Sequence, residues 1–182
     1  PPELAAELRA APRPSPQSYE ALIRELVDDG LHPHRSRVSV LVAPSAPQRC
    51  TEPFLRRLRA LADELALPAI THVQETRLQV VTGQLFYGSP MVEYLDRVGF
   101  LKPATSLIHA VWLNPREIEA LARTGATAQH NPWSNLTLGS GIQPTRELLE
   151  AGVNVSLGSD GSCSTVTTNM LNVLGSAAGV SK

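Results

Sequence analysis

From residue 38 onward the chain alternates short apolar runs with longer stretches of helical period. Residues 38–43 (VSVLVA) are nearly all apolar and stop at Pro44, as expected of a strand covered on both faces. A helix over 52–65 follows, then a strand at 69–72, a loop around Tyr87 and a helix over 91–98. The pattern continues with a strand at 106–111 and a helix at 115–123, then a strand at 126–129 closed by Pro132. A helix over 145–151 leads to a last strand at 153–157, which Gly158-Ser159-Asp160-Gly161 terminates. Strands alternating in this way with helices predict an α/β fold built on a parallel sheet. Ahead of it, residues 1–37 predict a helical lead-in: a short helix over 1–11, a Pro-containing break, and a second helix capped by Ser18 that ends before Gly30.

Composition narrows the class without changing that picture. A chain of 182 residues can bury one sizeable core, and 42% hydrophobic with 18% charged residues is ordinary for a globular protein. A net charge of −1 gives no electrostatic reason to expect a nucleic-acid partner. No apolar run is long enough to cross a bilayer and no signal peptide is visible, so no membrane partner is expected. Cys50 and Cys163 form no CxxC pair, which argues against a disulfide framework or thiolate zinc site and predicts a reducing, cytoplasmic setting. A homo-oligomer is compatible with all of this.

The chemistry gathers at the C-terminal ends of the predicted strands. The second strand ends in His72 with Glu75 three positions on, the third carries His109, the fourth runs into His130, and the fifth into Asp160. His72 and Gln74 share one face of an extended chain, and Glu75 joins them only if the backbone turns there. Singly, each has an ordinary explanation: a hydrogen-bonded packing histidine, or a capping or turn carboxylate. Together they occupy the edge at which parallel α/β folds place their sites, so one catalytic metal site accounts for all of them. Nitrogen and oxygen donors without thiolate suit one divalent ion, zinc first and iron second. Such an ion makes hydroxide available near neutral pH, and Glu75 is placed to shuttle a proton.

Other features read as structural. His32-Pro33-His34, in a polar turn beside Arg35 and Arg37, is a solvated loop rather than a ligand pair. Asn131-Pro132-Trp133-Ser134-Asn135 is a turn-rich loop that caps or fixes the next segment, and Gly139-Ser140-Gly141 lacks the spacing of a phosphate loop. Trp112 belongs either to a pocket rim or beneath a helix.

The segments HVQET (72–76), HAVWL (109–113), TGATAQHNPWSNLTLGSGIQP (124–144) and LLEAGVNVSLGSDG (148–161) occur in an order that resembles the amidohydrolase superfamily. The likeness is to the branch of adenosylhomocysteine, methylthioadenosine and guanine-type deaminases and the triazine hydrolases such as atrazine chlorohydrolase. It implies a TIM (β/α)8 barrel, with residues 1–182 a partial barrel domain of about strands four to eight. It also implies that His72 and Asp160 ligate the metal and that His109 holds or polarises the attacking water. Glu75 would be the proton shuttle, Asp160 would also accept the water's proton, and His130 would contact substrate in the pocket. The implied reaction is hydrolytic deamination of an aromatic nitrogen heterocycle of purine, pyrimidine, pterin or triazine type.

Three departures qualify that. The family's first His-x-His motif has no counterpart in the expected place, and a barrel of this kind takes about 250 residues, so the chain reads as a piece of one. A histidine expected in the strand-four loop of adenosine-type enzymes is Ser45 here, which weakens an adenosine-type substrate and leaves other heterocycles open. Residues 162–169 (SCSTVTTN) depart from the usual Ser-Asn-Asn run. Two alternatives follow: cleavage of an amide or cyclic ureide, and a non-catalytic fragment lacking the upstream ligands. Glu75, and the lack of a visible metal-bridging lysine, favour the deaminase type.

Overall fold

The computed structural model describes residues 15–28 and 39–181. The predicted helix over 1–11, the His32/His34 turn and the start of the first predicted strand lie outside the described residues. The chain divides into two compact units, Pro1–Val40 and Leu41–Lys182.

The first unit contains helix α1 (Pro16–Asp28). Its cap is Ser15 rather than Ser18: the Ser15 hydroxyl accepts the Ser18 N–H at 3.0 Å. Pro16 takes the first helical position, where its missing N–H leaves nothing unsatisfied.

In the second unit, a 3₁₀ turn (Pro47–Arg49) and α2 (Glu52–Glu64) precede β1 (Ala69–Val73), α3 (Arg77–Tyr87) and α4 (Met91–Arg97). Then come β2 (Thr105–His109), α5 (Pro115–Thr124), β3 (Thr127–His130), α6 (Pro132–Thr137), α7 (Thr145–Glu150), β4 (Val155–Leu157) and α8 (Met170–Val180). The four strands lie in sequence order, β1-β2-β3-β4, every pair parallel. Sequential parallel strands joined through helices are the repeating unit of a (β/α)8 barrel, and this sheet is part of one. The described part of the first predicted strand, residues 39–43, does not form a strand. Val42 alone makes a parallel bridge to Ala69, with Val42 N–H donating to Pro68 O and Ile70 N–H to Val42 O, both at 2.9 Å.

Along β1 and β2 burial alternates: Ala69, Thr71 and Val73, then Thr105, Leu107 and His109, are buried, while the residues between them are half-buried. The core is completed by Leu55, Leu58 and Leu61 of α2, Met91 and Leu95 of α4, Phe100, Leu121 and Leu148, all at most 1% exposed. Burying each such side chain contributes about 1.5–3 kcal/mol.

The region around Tyr87 is helical rather than a loop. Glycine is tolerated inside α3 because Gly83 sits against the start of α4, where a Cβ would come within 3.1 Å of Met91 N and Ser89 O. Gly88 then ends the helix in the left-handed conformation, φ 63°. α5 opens with a capping box: Asn114 accepts the Glu117 N–H at 3.1 Å, and Glu117 Oε2 accepts the Asn114 N–H at 2.9 Å. Glu117, 1% exposed, also accepts from Val92 N–H and from the Gln74 side chain, each at 3.1 Å. Burial pushes its carboxyl above the ordinary value, against the opposing pull of those donors. One carboxylate thus ties together the end of β1, the start of α4 and the start of α5.

Candidate active site

The strand register brings the functional ends level. Val73 pairs with His109, and His130 with Leu157. At each end the backbone leaves the extended region: φ is 48° at Gln74, 73° at His109, 45° at Ala110 and 65° at Asp160. The turn at Gln74 brings Glu75 round to the face of His72, and β2 ends with His109 already in the left-handed region. The imidazoles of His72 and His109 consequently lie side by side, ring centroids 5.5 Å apart.

Both rings are anchored through Nδ1. His72 Nδ1 lies 2.7 Å from the backbone carbonyl of Ser45, and His109 Nδ1 lies 2.9 Å from Asn135 Oδ1. Both partner atoms are acceptors, so each Nδ1 carries a proton and Nε2 is the ring nitrogen left for the site. His109 Nε2 points between two carboxylates, 3.8 Å from Glu75 Oε2 and 3.8 Å from Asp160 Oδ2. Those separations exceed a direct hydrogen bond and leave room for a shared species between the groups.

Asp160 is tightly held. Ser134 Oγ donates to its Oδ2 at 2.5 Å and Gly161 N–H to its Oδ1 at 2.6 Å. Burial acts against its charge. The Ser134 hydroxyl, the Gly161 amide, and the His109 and His72 imidazoles outweigh burial and hold the carboxyl below the ordinary value. His130 differs: burial, reinforced by repulsion from His109, lowers its pKa to about 4, so it is neutral at pH 7. Neither of its ring nitrogens has a hydrogen-bond partner among the described residues, although it is 1% exposed.

His72, Glu75, His109 and Asp160 therefore converge as the sequence predicts, with His130 buried beside them. Among the described residues, no group of three or more His, Cys, Asp or Glu side chains is arranged to hold a metal ion. The donor chemistry nevertheless fits a share of a divalent ion's shell. His72 presents Nε2 in the tautomer that a carbonyl-bonded Nδ1–H enforces, the usual preparation of a ligating imidazole. Asp160 contributes a carboxylate whose oxygens are already oriented.

Four supporting residues were given no part in the site by the sequence, three of them in segments read as structural. Ser134 and Asn135, adjacent on α6, reach Asp160 and His109 respectively. Gln143 Nε2 donates to His109 O at 2.8 Å, and the Ser140 hydroxyl donates to Glu75 Oε1 at 3.2 Å. All four fall within residues 124–144, the longest segment that carries the resemblance, which is the signal that could have found them. Trp112 lies beneath Arg77, the first residue of α3. With Arg77, whose guanidinium lies 4.4 Å over its ring, it lines a cleft of about 490 Å³ that also includes Ser140.

Comparison with known proteins shows the family. Residues 2–180 match the Amidohydrolase family over nearly the whole chain. The chain belongs to the amidohydrolase family. It is 42% identical over 137 residues to a 5′-deoxyadenosine deaminase of Methanopyrus kandleri, covering 75% of this chain and 32% of that protein. It is 43% identical over 141 residues to a 5-methylthioadenosine/S-adenosylhomocysteine deaminase of Archaeoglobus fulgidus, covering 78% and 33%. Among solved structures, an adenosine deaminase from Xanthomonas campestris with bound zinc superposes with a TM-score of 0.85 at 33% identity, over 91% of this chain and 37% of that one. This amidohydrolase chain thus spans about a third of the length of the curated relatives it matches. No helix among its described residues is long and apolar enough to cross a membrane.

Proposed function

We propose that this chain carries the second half of the active site of a metal-dependent deaminase that hydrolyses the exocyclic amine of an adenine-type nucleoside. The observation that carries the reading is His109 Nε2, an oriented ring nitrogen set 3.8 Å from both Glu75 and Asp160. The named activities of the relatives support the substrate class, and the zinc in the Xanthomonas adenosine deaminase supports the choice of metal. Ser45 stands where a histidine is expected in adenosine-type enzymes and counts towards other heterocycles. Its observed contact with the site is through its backbone carbonyl, which any residue supplies.

His72 through Nε2 and Asp160 through its carboxylate would hold the ion, together with further ligands. Zinc bound there supplies Lewis acidity and an acidified water. His109 accepts a hydrogen bond from the attacking water at Nε2, and Asp160 takes its proton. Glu75 delivers a proton to the ring nitrogen as the water oxygen adds to the amine-bearing carbon. The C–N bond then breaks as Asp160 passes its proton to the departing amine, ammonia leaves, and the added hydroxyl becomes the ring carbonyl as its proton returns to Glu75. His130, neutral and with both nitrogens unpartnered, meets the heterocycle.

The test is ammonia release from 5′-deoxyadenosine by the full-length zinc protein. Glu75→Gln should keep the wild-type zinc content, since Glu75 is not a proposed ligand, while kcat falls about 10²–10⁴-fold, the usual contribution of a general acid–base group. Turnover unchanged in that variant would sink the assignment.

A further inference from the structure

The Gly139-Ser140-Gly141 turn has no role in the proposed reaction, yet its backbone is held from several sides. The Ser140 peptide is fixed on both sides: its N–H donates to Asn135 O at 2.8 Å, and its carbonyl accepts the Trp112 indole N–H at 2.8 Å. Gly141 lies flat on Trp112, with φ 122°, and a Cβ there would come within 3.0 Å of Val111 Cγ1 and 3.1 Å of the indole. Arg77 covers the same indole. From this backbone the Ser140 hydroxyl, on a residue 5% exposed, donates to Glu75 Oε1. The Glu75 backbone has its own anchor, its N–H donating to Gln79 Oε1 at 2.5 Å. Ser140 therefore acts on the carboxylate group alone.

The terminal torsion of a glutamate is broad, so a carboxylate on a fixed backbone still swings unless something holds one oxygen. Here Oε1 is held and Oε2 is left facing His109. The residue whose carbonyl holds Ser140 is Asn135, whose side chain holds His109. We propose that Ser140 is a positioning residue for Glu75, and that the segment from Asn135 to Ser140 sets the spacing between Glu75 and His109. The catalytic consequence rests on the deaminase reading; the geometric claim does not.

Two measurements separate them. In the full-length zinc protein with 5′-deoxyadenosine, Ser140→Ala should lower kcat about 10-fold, the loss expected for one hydrogen bond to a charged group, with KM changed less than about twofold. Ser140→Thr should restore most of the loss. In a Glu75→Ala background, Ser140→Ala should change kcat by less than about twofold, because the carboxylate it positions is gone. A merely structural role would give the same loss in both backgrounds and overturn the proposal, as would a rise in KM alone. Crystal structures of the wild type and Ser140→Ala form the second arm. Glu75 should occupy one carboxylate orientation in the first and several in the second. A protein that releases no ammonia would refute the deaminase reading, and an unchanged Glu75 in the Ser140→Ala crystal would refute the positioning role.

Discussion

The tautomer of His109 hangs on one bond, and removing that bond gives a test that needs no substrate. In Asn135→Ala the Nδ1–H loses its only acceptor at a residue 2% exposed, where little water can replace it. A buried neutral hydrogen bond contributes about 1 kcal/mol net, and an orphaned buried donor costs about 1–3 kcal/mol. On the other side of the ring, Nε2 faces two carboxylates at 3.8 Å, so moving the proton there turns lone-pair repulsion into attraction. Since about 1.4 kcal/mol is a factor of ten, losing about 1–3 kcal/mol shifts the tautomer ratio about 5-fold to 150-fold towards Nε2–H. Asn135→Asp keeps an acceptor and should retain Nδ1–H. The assay is ¹⁵N-resolved imidazole spectroscopy near pH 7 on protein stripped of divalent metal, with circular dichroism confirming the fold. His109 still protonated on Nδ1 in Asn135→Ala would refute the assignment of this bond as the determinant.

Two further predictions concern stability. Asp160 titrates below the ordinary carboxylate value, so it contributes stability that is present above the unfolded value and lost as pH falls through the folded one. Ser134→Ala should therefore lower unfolding free energy by about 1 kcal/mol near neutral pH after allowance for solvent screening, and the gap to wild type should close in acid; urea midpoints between pH 6 and pH 2 that stay equally separated would count against it. Glu117→Ala strands the Val92 and Asn114 amides and the Gln74 side chain, and should cost about 2–4 kcal/mol in chemical unfolding, whereas Glu119→Ala at an exposed position should stay within about 0.5 kcal/mol.

Much of this arrangement is legible in the sequence because two strong signals coincide. Apolar runs such as TSLIH mark strands whatever surrounds them, and chemistry-bearing residues at their ends are hard to place by packing alone. Where the reading fails, the cause is tertiary. α3 exposes Leu78, Val81, Leu85 and Phe86, so its apolar residues do not mark an inward face, and Gly83 inside it serves contact with α4. Residues 38–43 have strand composition, but among the described residues 39–43 only Val42 bridges to β1. Asn131–Asn135 reads as a loop because a helix of six residues, Pro132–Thr137, is too short for periodicity to declare itself. The roles of Ser134, Asn135 and Ser140 depend on contacts with residues 26 to 65 positions away, and no local pattern encodes those.

The left-handed backbone at Gln74, His109, Ala110 and Asp160 bears on how this protein can be engineered. Histidine and aspartate tolerate that conformation better than most residues, but a buried alanine there is strained, at a cost of about 1–3 kcal/mol. A screen that selects only for heat resistance would therefore be drawn to Ala110→Gly, which relaxes the peptide next to His109. Variants gathered that way would gain melting temperature while losing the aim of the imidazole, so selection at these strand ends has to score turnover and stability together.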